Sequence, residues 1–262
     1  MKASALTIAG SDSGGGAGIQ ADLKTFAAHN VHGLSAIAAL TAQHTRGVTA
    51  VHVPDVDFLR AQVDACFDDF DIRVVKIGML ATTDVIRTTA ALLDAHSDVP
   101  VVLDPVMVAT SGAKLLADDA LDAMRTQLLP RARIATPNLP EAELLLGRTI
   151  DDVEAMREAC EDLRALGAHA VLLKGGHLPA GDVVDVFADA AGLHEIVHPR
   201  LPIEAHGTGC TLASAIAARL ALGDDLRAAC IGASDYVHRA LLGGYRPGRS
   251  DILVLDHFGA MR

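Results

Sequence analysis

No run in this chain approaches the roughly 18 apolar residues that a membrane-crossing helix needs, so no membrane partner is expected. Nor is there a block of Lys and Arg. The 33 acidic residues outnumber the 22 basic ones, and a formal net charge of −11 leaves a nucleic-acid backbone nothing extended to grip. No CxxC pair occurs. Cys66, Cys160, Cys210 and Cys230 stand far apart, which argues against a zinc site or a small disulfide-stapled scaffold and predicts free thiols. Internal repeats, low-complexity tracts, Pro-rich linkers and a signal-peptide cleavage pattern are missing too. These absences predict a cytoplasmic chain that forms one domain over residues 1–262 and leave room for a small anionic ligand held by local groups.

What is present is alternation. Short apolar runs at 5–8, 74–77, 101–103, 134–135 and 170–173 read as strands. Helical patterns fall around 17–29, 55–69, 82–96, 116–127, 139–146, 152–166, 209–221 and 225–242. Strands alternating with helices predict a parallel sheet covered on both faces. Residues 183–187 and 193–197 flank a Gly-containing turn and predict an antiparallel hairpin at one edge of that sheet. Cys66, Cys160 and Cys230 sit in the helical patterns, where a thiol serves as a small core hydrophobe.

Open α/β sheets bind ligands outside the carboxyl ends of their strands, so the residues after each apolar run carry the search for chemistry. Residues 10–18 (Gly-Ser-Asp-Ser-Gly-Gly-Gly-Ala-Gly) fit neither a P-loop nor a dinucleotide fingerprint. Two readings stand there: a flexible strand-to-helix turn, or a backbone that a ligand approaches with Gln20 or Asp22 projecting behind it. Asn138-Leu139-Pro140-Glu141 has the form of a capping box, and helix capping alone would account for it. Its oxygens are also hard ligands of the kind that hold magnesium, often through water. Lys174 ends a strand before two glycines, where a point charge suits phosphate, and Asp104 before Pro105 stands in a similar place. Gly207 and Gly209 remove side chains from a turn that enters an Ala-rich helix, whose free N–H groups and positive end make an anion hole. Cys210 lies at that helix start, where the dipole favours a thiolate, or it is a small buried residue needed only for packing.

Seven ordered blocks carry a resemblance over nearly the whole chain: residues 10–25, 41–48, 76–80, 104–107, 136–141, 173–177 and 206–211. They resemble the hydroxymethylpyrimidine and phosphomethylpyrimidine kinases of thiamine biosynthesis, within the ribokinase-like superfamily. The resemblance implies a ribokinase-like three-layer α/β/α fold with a mainly parallel central sheet and an antiparallel edge. It implies ATP-dependent phosphorylation of 4-amino-5-hydroxymethyl-2-methylpyrimidine and then of its monophosphate, with Mg2+ and a homodimer. By resemblance, Asp22 and Gln43 hydrogen-bond the aminopyrimidine edge, while Met79 and Val106 make apolar contacts to the ring. Cys210 faces the hydroxymethyl group. Lys174 contacts nucleotide phosphates, Asn138 and Glu141 help to hold magnesium, with Asp104 a further water-mediated candidate, and Gly207, Thr208 and Gly209 present backbone donors to the transferring phosphoryl group.

Many ribokinase-like sugar kinases carry an Asp general base where this chain has Cys210, so the cysteine resembles the vitamin-kinase branch. Two departures stand out: His44 replaces a common Asn, and residues 255–258 only loosely match the usual tail. The nearest alternative is a pyridoxine or pyridoxal kinase of the same fold. A thiol hydrolase built on Cys210 and His206 lacks a residue to orient the His and gives Lys174 no role. An inactive nucleotide-binding regulator is disfavoured by the filled catalytic positions.

Overall fold

The computed structural model describes residues 2–108, 112, 115–117 and 119–261. Strand β1 (Ser4–Asp12) leads through helix α1 (Gly18–Ala28) to a hairpin of β2 (His32–His44) and β3 (Gly47–His52). Helix α2 (Val56–Asp69), β4 (Ile72–Ile77), α3 (Thr83–Ala95) and β5 (Val101–Leu103) follow. After the short α4 (Ala120–Ala123) come β6 (Ile134–Ala135), α5 (Leu139–Leu146), α6 (Val153–Ala165) and β7 (Val171–Leu173). A second hairpin, β8 (Val183–Asp189) and β9 (Gly192–His198), precedes β10 (Ala205–His206), α7 (Thr208–Ala221), α8 (Leu226–Leu242) and β11 (Leu253–Val254).

Nine strands form one sheet in the order β3-β2-β1-β4-β5-β6-β7-β8-β9. The six from β2 to β7 run parallel, while β3, β8 and β9 each pair antiparallel with a neighbour. The fold is therefore the expected mainly parallel α/β sheet, with antiparallel hairpins at both edges instead of one. Residue alternation sorts the two core layers. Leu6, Ile8, Val75, Ile77 and Leu103 face α2, α3, α5 and α6, whereas Ala5, Val74, Val102 and Leu172 face α1, α7 and α8. Cys160 is buried in the first layer and Cys230 in the second; Cys66 is partly buried against the first.

Local chemistry sets the helix starts. The side chains of Thr82, Asp152 and Asp225 accept hydrogen bonds from the backbone N–H of Val85, Ala155 and Ala228, capping α3, α6 and α8. The helix expected over 116–127 is instead the single turn of α4 followed by a π turn over Met124–Leu128; residue 118 lies outside the described residues. Strand order reverses direction between β1 and β4, because the chain leaves β1 toward β2 and returns on the other side. That is the switch point at which an open α/β sheet binds its ligand.

Candidate active site

A cavity of about 840 Å³ opens along the carboxyl ends of the parallel strands and extends to the β8–β9 hairpin. At about 4.8 Å per strand, the span from β1 to β7 alone is on the order of 20 Å, room for two small molecules end to end. Near the switch point the wall is formed by Gly10, Gln43, Met79 and Val106. Met79 packs with Ala39 and Ala81 in a small cluster of its own, against which Val106 and Leu115 rest. The middle is polar, with Asp104, Asn138, Glu141, Lys174 and residues 207–210. Beyond it, Val183, Leu201, Ile203, Val237 and Leu241 give an apolar end.

Two glycines make the turn into α7. Gly207 has φ 86°, and a Cβ there would stand 1.9 Å from the carbonyl oxygen of Gly16. A side chain is thus excluded by both conformation and space. A Cβ on Gly209 would stand 3.0 Å from Lys174 Nζ, so the bare backbone lets the ammonium approach the helix start. No side chain caps this helix. Its first N–H groups open on the cavity beside a cation, an arrangement suited to an anion.

Lys174 Nζ donates to Asp104 Oδ1 at 2.9 Å and lies 4.0 Å from Glu141 Oε2. Burial acts to lower its pKa, but Asp104 and Glu141 outweigh it and hold the ammonium above its ordinary range. The capping box is real. Glu141 N–H donates to Asn138 Oδ1 at 2.9 Å, and Asn138 N–H donates to Glu141 Oε2 at 2.8 Å. Capping does not spend the whole carboxylate, however. Burial first, and then the neighbouring Asp104, push the Glu141 carboxyl up to about 7 against the pull of Lys174. Two acids sharing one ammonium form a site short of positive charge, which fits a divalent cation. Among the described residues no group of three or more His, Cys, Asp and Glu could hold a metal ion by itself. A magnesium ion here would therefore draw its remaining ligands from phosphate and water, its usual habit.

Of the residues expected at the site, Asp22 and Gln20 are absent from the cavity wall. Asp22 is fully buried, accepting from Thr7 Oγ1 and Ser214 Oγ at 2.7 Å each, and ion-paired with Lys76 at 3.0 Å. Lys76, passed over as a site residue in the sequence, takes its place on the wall. Burial would lower its pKa, but Asp22 and then Cys210 and Asp104 hold it raised. Of the two readings of Cys210, a thiolate or a packing contact, the surroundings favour the protonated thiol. The residue is partly exposed at the wall, yet burial pushes its thiol up to about 12, and Lys76 offsets only part of that rise. Gln20, offered as a ligand contact, braces the first turn instead: its Oε1 accepts from Asp12 N–H and its Nε2 donates to Ser11 Oγ, both at 2.8 Å.

A family model described as phosphomethylpyrimidine kinase matches residues 12–254. The chain belongs to this family. It is 51% identical over 244 residues to the hydroxymethylpyrimidine/phosphomethylpyrimidine kinase of Rhizobium meliloti, covering 92% of this chain and 91% of that one. It is 52% identical to a thiamine biosynthesis bifunctional protein of Geobacter sulfurreducens, with 92% of this chain covered but only 49% of that protein. The chain thus spans about half the length of that relative. Among solved structures, an ADP complex of Bacillus subtilis pyridoxal kinase superposes with TM-score 0.90 at 34% identity, covering 99% and 98% of the two chains. The phosphomethylpyrimidine kinase of Clostridium difficile superposes with TM-score 0.82 at 41% identity, covering 92% of this chain and all of that one. Backbone likeness ranks the pyridoxal kinase higher and residue identity ranks the pyrimidine kinase higher. Substrate choice resides in side chains, so identity is the better guide.

Proposed function

We propose that this chain transfers the γ-phosphoryl group of ATP to 4-amino-5-hydroxymethyl-2-methylpyrimidine and then to its monophosphate. The observation that carries the reading is the convergence of all seven sequence blocks on one cavity, whose polar middle pairs the α7 helix start with Lys174. The apolar end beside β8, β9 and α8 receives the base of the nucleotide. Lys174 meets its phosphates. The backbone N–H groups of residues 207–210 hold the equatorial oxygens of the phosphoryl group as charge spreads over them, and such fixed donors supply most of the catalysis in phosphoryl transfer. Asn138, Glu141 and Asp104 would hold magnesium, and the ion, when bound, would supply positive charge to the nucleotide phosphates.

The pyrimidine lies at the switch point. Gln43 pairs with its aminopyrimidine edge, and Met79 and Val106 pack on the ring. Cys210 faces the hydroxymethyl group as a thiol that donates or packs, because a thiolate base would require a group titrating far below about 12. Asp22 acts at one remove, by holding Lys76 charged on the cavity wall. A homodimer in the cytoplasm belongs to the same reading.

Pyridoxine phosphorylation is the second reading, supported by the superposition on pyridoxal kinase. One assay separates the two: purified protein with magnesium-ATP and, in turn, the hydroxymethylpyrimidine, its monophosphate or pyridoxine, with phosphorylated products followed by mass spectrometry. Both pyrimidines are expected to be converted. Conversion of pyridoxine alone would exchange the first reading for the second.

A further inference from the structure

At the end of β1 the Asp12 carboxylate is held by three backbone donors. Its Oδ1 accepts from Gly14 N–H at 2.7 Å, and its Oδ2 accepts from Gly16 and Ala17 N–H at 2.9 Å each. His206 arrives from the other end of the chain on β10, fixed by pairing with Val254. It packs on Gly16, where a Cβ would stand 2.8 Å from its Cδ2. Its Nε2 meets Asp12 Oδ2 at 3.2 Å and the side-chain amide of Gln43 at 2.8 Å. The far side of that amide lies 3.0 Å from Thr41 Oγ1, and the same hydroxyl lies 3.0 Å from the carbonyl oxygen of Ser11. Amide oxygen and nitrogen have nearly the same size, so these contacts admit two orders of the Gln43 side chain.

Counting protons separates them. With nitrogen toward His206, Nε2 must be an unprotonated acceptor, and its lone pair then shares space with the Asp12 carboxylate. The one proton of Thr41 is also claimed by two acceptors, Ser11 O and Gln43 Oε1. With oxygen toward His206, Nε2–H donates between Asp12 and Gln43, the Gln43 amide donates to Thr41 Oγ1, and Thr41 donates to Ser11. Every donor in this chain of contacts has an acceptor, the order that part-buried polar groups favour.

We propose that His206, protonated at Nε2 through its contact with Asp12, fixes the donor-acceptor order of the Gln43 amide and so selects the ring edge that the cavity accepts. His206 is thus a positioning residue for substrate specificity. The inference rests on the reading that Gln43 meets the pyrimidine. An aminopyrimidine edge sets a ring-nitrogen acceptor beside an amino donor, and it pairs with the amide in one order only. A reversed amide sets donor against donor.

Two measurements test this on the full chain. In a long-range proton–nitrogen spectrum of protein labelled with nitrogen-15 histidine, the His206 signals are assigned by their loss in His206→Asn, and Nε2 is expected to carry a proton. This arm needs no substrate, so it stands apart from the assignment of the reaction. The second arm is kinetic. His206→Phe is expected to raise KM for the hydroxymethylpyrimidine about tenfold, the worth of one hydrogen bond, with much smaller changes in kcat and in KM for ATP. Its preference for the pyrimidine over pyridoxine falls in step. His206→Asn, which can still donate an N–H, recovers most of the affinity and also carries the kinetic test if the Phe variant fails to fold. An unprotonated Nε2, or an unchanged KM and substrate preference in both variants, would overturn the proposal.

Discussion

At the start of α7 two effects act on Cys210 in opposite directions. A helix N-terminus favours a thiolate, and that much is legible in a Gly-Thr-Gly-Cys run before an Ala-rich helix. Withdrawal from water favours the thiol, and it depends on packing that only the fold reveals; burial wins. The same limit hid Lys76. In the sequence it is one charge in an apolar strand, and nothing nearby announces the Asp22 carboxylate that folds onto it from 54 positions away. Glu141 shows the cost of such a site. Its carboxyl, ordinarily near 4.5, is pushed up to about 7 by burial and by Asp104. Between those values the folded chain keeps a proton that the unfolded chain has released, so this group withdraws stability as pH rises through that window. Glu141→Gln removes the titration and keeps an oxygen able to accept from Asn138. In urea unfolding, the stability of the variant relative to the natural chain is expected to rise between pH 4.5 and pH 8. A difference that stays flat across that range would show that Glu141 ionises normally.

The two glycines of the α7 turn do unlike work. Gly207→Ala would force a side chain into φ 86° and onto the Gly16 carbonyl, both backbone constraints with no flexible partner to yield. Strain of this kind costs about 1–3 kcal/mol. The shift it imposes moves the N–H donors, and losing one aligned donor costs roughly 100-fold in kcat. Gly209→Ala meets the tip of Lys174, a flexible chain that can give way, so its effect is expected to be smaller. Kinetics on both variants, with far-ultraviolet circular dichroism to confirm folding, reads the order; a Gly207→Ala enzyme within threefold of the natural kcat would refute it. Elements with strong local signals were legible in the sequence. The capped helices and the Val- and Leu-rich strands fall within a few residues of where the pattern put them. Strand β2, His-Gly-Leu-Ser-Ala-Ile-Ala-Ala-Leu-Thr-Ala-Gln-His, was not: four alanines and a glycine carry little β preference. Its nine paired residues on β1 hold it extended, and that pairing is invisible locally.

Across the whole molecule, the site borrows residues from the carboxyl ends of β1, β4, β5, β6 and β7 and from the α7 turn, so its geometry depends on the sheet being complete. Both layers must then be present together for the cavity to exist. We propose one cooperative unit over residues 1–262, the single domain that length and the absence of linkers lead one to expect. With no tryptophan, the chain offers its cysteines as probes. Cys160 lies in the layer of α2, α3, α5 and α6, and Cys230 in the layer of α1, α7 and α8; both are fully buried. Burial pushes the Cys160 thiol up to about 12 and raises that of Cys230 as well, so neither reacts while folded. Along a urea series, brief alkylation followed by peptide mass spectrometry is expected to show both thiols becoming reactive at one concentration, coincident with loss of helical circular dichroism. If Cys230 reacted well before Cys160, the α1–α7–α8 layer would open while the other stayed closed. The chain would then be two folding units sharing a sheet, and the cavity between their loops would vanish with the weaker one.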